Sequence, residues 1–590
     1  MMNFEIRNKA GERPRRWGSG LRVVAFSVAL ACAPSARALD IVDITISDIQ
    51  VGLAAGDFSV VDLYNAHMAR IQQYEANYNA FTFFNPTAAA EAAALDAEYA
   101  LTGPRSPLHG VPVVIKEAMD VAGLPSTAGY SKFWSGTPGG VDLIPETDAP
   151  VVRRLREAGA VIIGKTNIPR FSQSGNNANT SWDGPTFNAY DRTLQPGGSS
   201  SGTATAVAGS FAVIGTAEET GGSIQNPAAA QSLVGVKTTF GLIPNAGIAP
   251  LRGADRDVAG PHARTVRDAA LMLDAMAGYT LEDEKTLASV GNMPEDGYTS
   301  LLSTTALQGK RFGLLGPGWR TTGTTASPSP ITLEPETQLL YDRAKAELVA
   351  EGAILVDDPF AGTNFNALRA AAPSAASSNA FYFESWLERM GPSMVANQLA
   401  AADGISSIAA LGLLGVSPFD AGEPFSSTRT NFPVEFADPD TPPNIDAVFI
   451  HKGQILSLFN SVLDAYDLDG LFFPQAVRPV PDLPAPPSTA NAIGATTVSE
   501  INLLGVPGVT VSGGYYDDGS PFSLIFVGKL WSEAELLSFA YDYEQATMYR
   551  IAPDMQPVPV PAALPLLASA IVPLVWRRRS RKAPALACAA

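Results

Sequence analysis

Short apolar runs rich in β-branched residues alternate along this chain with longer stretches whose apolar positions recur every third or fourth residue. Val111–Lys116, Ala160–Lys165, Arg311–Leu315, Ala353–Val356, Gly470–Phe473, Gly508–Val511 and Phe522–Val527 are of the first kind. Nearly unbroken apolarity over so few residues fits strands buried on both faces. Helical periodicity marks Val60–Tyr74, Thr87–Leu101, Pro150–Ala158, Arg264–Ala277, Glu334–Val349 and Ser532–Ala546. The alternation predicts an α/β fold, a sheet covered on its faces by helices. Thr321–Pro330, Phe432–Pro443 and Arg478–Ser488 are rich in proline, serine or threonine and read as surface loops. None of them separates segments that would each bury a core, so one large domain is expected.

The chain has 590 residues, of which 46% are hydrophobic, enough for a substantial core. Its net charge of −18 argues against a nucleic-acid partner, which favours a basic face. Both ends depart from the globular pattern. Arginines and Lys9 precede a short apolar run, Val23–Ala33, and Ala36-Arg37-Ala38 offers a small-residue cleavage site, so residues 1–38 read as an export signal. The run is too short to span a membrane, and Arg15-Arg16 permits the twin-arginine route as well as the general one. Residues 554–590 hold a proline-rich stalk, the apolar stretch Ala562–Trp576 and an arginine cluster. That order resembles the PEP-CTERM type of bacterial sorting signal, which implies a sorting protease of the exosortase kind as a partner; a retained anchor is the alternative. Membrane contact is expected only through these terminal segments, and the location periplasmic, envelope-associated or extracellular. The two cysteines, Cys32 and Cys588, lie in the leader and the tail. The body, 39–553, therefore holds no disulfide, cysteine nucleophile or cysteine-based zinc site.

Three motifs compete for the chemistry. Gly159–Thr166, GAVIIGKT, satisfies the phosphate-loop pattern, but its middle is strand-like and Asn167-Ile168-Pro169 follows where a helix should start. Gly198–Gly202, GSSSG, matches the nucleophile elbow with Ser200 as nucleophile. That reading needs a preceding strand, where Asp191–Pro196 is polar, and a later histidine. Of His67, His109, His262 and His451, His262 sits at the start of an expected helix and His451 in a mixed segment.

The third motif joins Lys116, Ser199 and Ser223. Two serine-bearing glycine turns lie 24 residues apart, and the lysine ends an apolar run upstream. A serine hydroxyl becomes a nucleophile when a base takes its proton, and a lysine is a base only when uncharged. Burial in the apolar run without a paired carboxylate is expected to lower the basicity of Lys116. Consecutive glycines let backbone N–H groups converge on a developing oxyanion.

Six ordered blocks carry a wider resemblance: LHGVPVVIKEAMDVAG, LREAGAVIIGKTN, PGGSSSGTATAVAG, ETGGSIQNPAA with LVGVKTTFGLIP, DVAGPHARTVRDAALML, and INLLGVPGVTVSGG with FVGKLWSEAELLSFAYDYE. With them, roughly Ile41 to Thr547 resembles the amidase signature family. The resemblance implies a single large α/β domain with a mixed, mostly central β-sheet covered by helices. It implies Ser223 as the acyl-forming nucleophile, Ser199 as a relay with a cis peptide, Lys116 as the base, and the backbone N–H groups of Thr220, Gly221, Gly222 and Ser223 as the oxyanion hole. Ser200 would support the relay by hydrogen bonding or be a simple turn residue. Neither metal nor organic cofactor is called for. Departures from the family pattern are Glu117 for aspartate, Ser201 for glycine, Glu218-Glu219 for threonine-aspartate, Gln225 for arginine and Thr238 for proline. Glu219 is expected to keep the aspartate's role as acceptor, and Gln225 removes a fixed positive charge.

The expected function is hydrolysis of a small-molecule or peptide carboxamide to a carboxylate and ammonia or an amine. Alternatives are an esterase or peptide amidase on the same triad, an amidotransferase subunit of the kind that serves transfer RNA, and an α/β-hydrolase acting through Ser200. An amidotransferase subunit works in the cytoplasm, against which the leader and tail speak.

Overall fold

Apolar, β-branched segments that expose neither face assemble in the interior of a single sheet. The computed structural model describes residues 39–559 apart from 139, 254, 325–326, 376–377, 391–443 and 485–491. The strands are β1 (Phe81–Phe84), β2 (Pro112–Lys116), β3 (Val161–Thr166), β4 (Ile214–Glu219), β5 (Val234–Lys237), β6 (Val258–Ala263), β7 (Arg311–Leu314), β8 (Thr321–Thr324), β9 (Ser327–Pro330), β10 (Ile354–Val356), β11 (Gly470–Pro474), β12 (Gly508–Tyr515) and β13 (Pro521–Val527). Eleven of them form one sheet in the order β1-β3-β2-β4-β6-β5-β12-β13-β11-β7-β10, and β8 and β9 pair separately. β3, β2 and β4 run parallel, as do β11, β7 and β10, while β4–β6, β5–β6, β12–β5 and β12–β13 are antiparallel, so the sheet is mixed. β2, β3, β4 and β13 are buried at every position.

The helices cover this sheet with amphipathic faces. In α1 (Ile46–Ala55) and α2 (Val60–Tyr78), capping boxes at Thr45/Asp48 and Ser59/Asp62 satisfy the first free N–H groups. α2 then turns Val60, Leu63, His67 and Ile71 inward at helical spacing. α3 (Ala88–Thr102) packs on α2, α4 (Pro150–Glu157) starts on a proline, and α5 (Ser201–Ala208) lies across β2, β3 and β4. A second apolar cluster gathers around the fully buried Trp319, which stacks on Phe365 with ring centroids 4.9 Å apart.

The expected strands and helices appear within a few residues of their predicted bounds, apart from Gly508–Val511, which extends to Tyr515 as β12, and Val60–Tyr74, which extends to Tyr78. β1, β4, β5 and β6 carry weaker signals. β4 ends on Glu218 and Glu219, and β6 contains Gly260, Pro261 and His262, so neither reads as a buried strand. Two corrections follow for the histidines: His262 lies on β6 rather than at a helix start, and His451 lies in the helix Asp446–Ala465 rather than in a mixed segment. Thr321–Pro330, expected as a loop, holds the hairpin strands β8 and β9. The phosphate-loop reading falls, because Val161–Thr166 is a fully buried strand. Phe432–Pro443, the leader and most of the tail lie outside the described residues. Among the described residues no helix is long and apolar enough to cross a membrane.

One irregularity matters for the site. β2 and β3 pair Val113 with Ile162 but Val114 with Gly164, so Ile163 is skipped and Ile115 pairs with Lys165, Lys116 with Thr166. Glycine is required at 164, where a Cβ would lie 2.3 Å from the carbonyl oxygen of Phe83 on β1.

Candidate active site

Parallel neighbours end on the same edge of a sheet, and β2 and β4 are such neighbours. Lys116 is the last residue of β2 and Glu219 the last of β4. The turn Thr220–Ser223 follows β4 and leads into the short helix α6 (Gln225–Ala230). The second serine turn, Gly197–Ser200, precedes α5, and its Gly198–Ser199 peptide is cis. Gly197 takes φ +73°, and a Cβ there would lie 2.3 Å from Cα of Pro227, so this turn presses its backbone against that of α6.

Lys116 is completely buried, as the apolar run predicts, but it is not unpaired. Its Nζ lies 2.7 Å from Ser199 Oγ, 2.8 Å from the Glu218 carbonyl oxygen and 2.8 Å from Glu218 Oε2. The expectation that no carboxylate pairs with this lysine is therefore wrong: Glu218, itself 1% exposed, forms a buried ion-pair contact with it. Burial still dominates and holds the lysine below its ordinary value, while Glu218 and, more weakly, Asp257 and Glu219 oppose the shift.

Ser200 is tied down. Its Oγ donates to the carbonyl oxygen of Ser223 at 2.7 Å, with the Glu218 carbonyl at 3.4 Å. This places the two serine turns side by side, whereas no hydrogen bond among the described residues joins Ser199 Oγ to Ser223 Oγ. The structure thus closes the contact of Lys116 with Ser199 and brings Ser223 alongside through its main chain. No strand precedes Ser200, and neither histidine that follows it partners it: His262 Nε2 faces the carbonyl of Ile224 at 2.8 Å and His451 Nε2 that of Leu368 at 2.8 Å. Burial pushes His262 down to about 4.

The backbone N–H groups of Gly221, Gly222 and Ser223 make no hydrogen bond to another described residue. Gly221 is exposed while Ser223 is 5% exposed, so the turn faces outward over a nearly buried hydroxyl. Gly222 adopts φ +102°. Glu219 holds the turn from below, as its acceptor role predicts: Oε2 accepts the N–H groups of Ile224 (2.8 Å) and Gln225 (3.2 Å), and Oε1 accepts the side-chain amides of Gln225 and Asn502 at 2.5 Å each. Gln225 in turn accepts from Thr497 (2.7 Å) and Gln475 (3.2 Å). Neutral amides thus bind Glu219 Oε1 where the family pattern has an arginine at position 225.

Sequence reasoning assigned no role to Glu218, Asp257, Gln475, Thr497 or Asn502. For Glu218 a signal exists, its departure from threonine; the other four come from distant segments that only the folded sheet brings to the turn.

The model of the Amidase family matches residues 62–408. Over 526 residues the chain is 31% identical to a subunit of the glutamyl-tRNA(Gln) amidotransferase of Halorhodospira halophila, covering 85% of this chain and 97% of that protein. The crystal structure of native peptide amidase from Stenotrophomonas maltophilia is similar with a TM-score of 0.65 at 30% identity, covering 87% of this chain and 98% of that one. A bacterial aryl acylamidase shares the fold at 20% identity and a TM-score of 0.63, covering 86% of this chain and 97% of its own.

Proposed function

This chain belongs to the amidase family, and on that premise we propose that it cleaves a carboxamide through an acyl-enzyme on Ser223, with Ser199 as relay and Lys116 as base. The observation that carries this reading is the 2.7 Å contact of a fully buried Lys116 Nζ with Ser199 Oγ, one strand away from the turn bearing Ser223. The uncharged amine takes the Ser199 proton as Ser199 takes that of Ser223, and Ser223 Oγ bonds to the amide carbon. The carbonyl electrons move onto oxygen, which the N–H groups of Thr220, Gly221, Gly222 and Ser223 receive. As the carbonyl re-forms, the C–N bond breaks and the leaving nitrogen takes the proton back through Ser199. Water repeats the sequence on the acyl-enzyme and releases the carboxylate. Ser200 supports the site by tethering Ser223 rather than reacting.

Likeness to a peptide amidase favours peptide carboxamides as substrates. The leader and tail favour an exported enzyme over a cytoplasmic amidotransferase subunit. Screening protein that starts at Leu39 against aliphatic, aryl and C-terminal peptide amides tests the substrate class, with turnover of the peptide amides expected to be fastest. Intact-mass detection of an adduct on Ser223 supports the nucleophile, and an adduct on Ser200 overturns it. Export is tested by release from cells with and without residues 554–590; unchanged location counts against a sorting tail.

A further inference from the structure

Of the three acceptors or donors around Lys116 Nζ, two belong to a single residue. The Glu218 carbonyl and the Glu218 carboxylate, each at 2.8 Å, accept hydrogen bonds, and the Ser199 hydroxyl at 2.7 Å both donates and accepts. An uncharged amine carries two hydrogens and one lone pair. If both hydrogens are held by Glu218, the lone pair is left for Ser199, the arrangement in which the amine removes a proton from that hydroxyl. We propose that Glu218 is a positioning residue for the base, directing the Lys116 lone pair at Ser199 through its paired carbonyl and carboxylate. The inference rests on the reading of Lys116 as base given above.

The arrangement needs Glu218 ionised, since a protonated carboxyl would donate into the lone pair and silence it. Thr220 Oγ1 lies 3.2 Å from Glu218 Oε1 and 2.5 Å from Asp257 Oδ1, with a single hydrogen to share between two carboxyl groups. Burial and the nearby Glu218 push Asp257 up to about 6. Below about pH 6, with Asp257 protonated, its O–H donates to Thr220 and Thr220 donates to Glu218; above it Thr220 donates to Asp257. Oδ2 of Asp257 remains free to accept the N–H groups of Leu251 and Arg252 at 2.8 and 2.9 Å. The charged or titratable groups facing the pair are Glu218 and Glu219 on β4, Asp257 before β6, and His262 on β6; Arg252 and Arg256 lie beyond Asp257.

A carboxylate beside an ammonium favours the charged form, so Glu218 raises the pH at which the base becomes available. The test follows labelling of Ser223 by a fluorophosphonate, a probe independent of the natural amide, by intact mass from about pH 5 to about pH 10 on protein starting at Leu39. Glu218→Gln keeps an oxygen acceptor but removes the charge, and should move the acid-side midpoint of the labelling rate down by about one to three pH units. Glu218→Asp keeps the charge but withdraws it by one methylene; its midpoint should stay near that of the native protein while its plateau rate falls about tenfold or more. A Glu218→Gln midpoint that is unchanged or raised overturns the proposal. If Glu218→Gln does not fold, judged by thermal unfolding, an undiminished plateau in Glu218→Asp overturns it instead. Lys116→Met separates the two readings: labelling that survives it refutes the base itself, whereas labelling lost with Lys116→Met but indifferent to Glu218 refutes this inference alone.

Discussion

Gly221 and Gly222 are adjacent, similar on paper and very different in their surroundings, which makes alanine at each a sharp test of the oxyanion turn. At Gly222 the backbone sits at φ +102°, and an added Cβ would meet Asn226 Nδ2 and Val498 Cγ2 at 2.9 Å. At Gly221 an added Cβ would meet only Val498 Cγ1, at an ordinary 3.8 Å. The conformation alone costs an alanine at 222 about 1–3 kcal/mol. The overlap adds to this, because Asn226 Nδ2 is held by the Gly175 carbonyl at 3.1 Å and must break that bond to give way. The cheapest relief is rotation of the Gly221–Gly222 peptide toward negative φ, which swings the N–H groups of the turn off the oxyanion. Loss of one such donor costs about 3 kcal/mol in the transition state, or roughly a hundred- to a thousandfold in kcat. Gly222→Ala should therefore lower kcat on a peptide amide by about that factor with KM little changed, while Gly221→Ala stays within about tenfold of the native rate. Initial-rate measurements on both variants, with thermal unfolding as a folding control, decide it. Equal losses at the two positions, or a fully active Gly222→Ala, would refute the assignment of this turn.

Three further outcomes are expected. Ser200→Ala leaves the buried Ser223 carbonyl without its 2.7 Å donor and should destabilise the protein by about 1–3 kcal/mol while Ser223 remains the labelled residue; a shift of label or no loss of stability speaks against the tether. Lys116→Met strands the buried Glu218 carboxylate and should cost about 3–5 kcal/mol, much of which Glu218→Gln in the same chain recovers; denaturant midpoints that fall equally in single and double variants would contradict a coupled pair. Burial pushes Asp268, 1% exposed, up from 3.8 to about 6, so the folded protein keeps this proton longer than the unfolded chain does. Its contribution is most favourable below about pH 4 and declines as pH rises to about 6, so Asp268→Asn should gain up to about 3 kcal/mol relative to the native protein between pH 4 and pH 7; a pH-independent difference would be the contrary result.

Seven strands of the sheet, β2, β3, β7 and β10 to β13, were legible because they are written largely in valine, isoleucine, leucine and phenylalanine. The centre of the sheet was less so: β4 and β6 trade that signature for Glu218, Glu219, Pro261 and His262, and what holds them in the sheet is pairing with each other in register from Ile214–Ala263 to Glu219–Val258. The burial of Lys116 followed from its neighbours in sequence, and the prominence of the two serine turns from their glycines. The partner of Lys116 did not follow, because Glu218 lies 102 residues away along the chain and meets the amine only when β2 and β4 become neighbours. The amide network of Gln225, Gln475, Thr497 and Asn502 was invisible for the same reason.

The residue skipped between β2 and β3 has a chemical consequence. Had pairing run on from Val113–Ile162 without the shift, Lys116 and Lys165 would stand opposite one another on adjacent strands, their amino groups sharing one side of the sheet. The stagger sends Lys165 to the other side, where it meets Ser126 Oγ at 2.9 Å, the Pro125 carbonyl at 2.8 Å and Glu117 at 3.7 Å. That one-residue shift keeps two interior amines on opposite sides of the sheet, leaving each to answer to its own carboxylate.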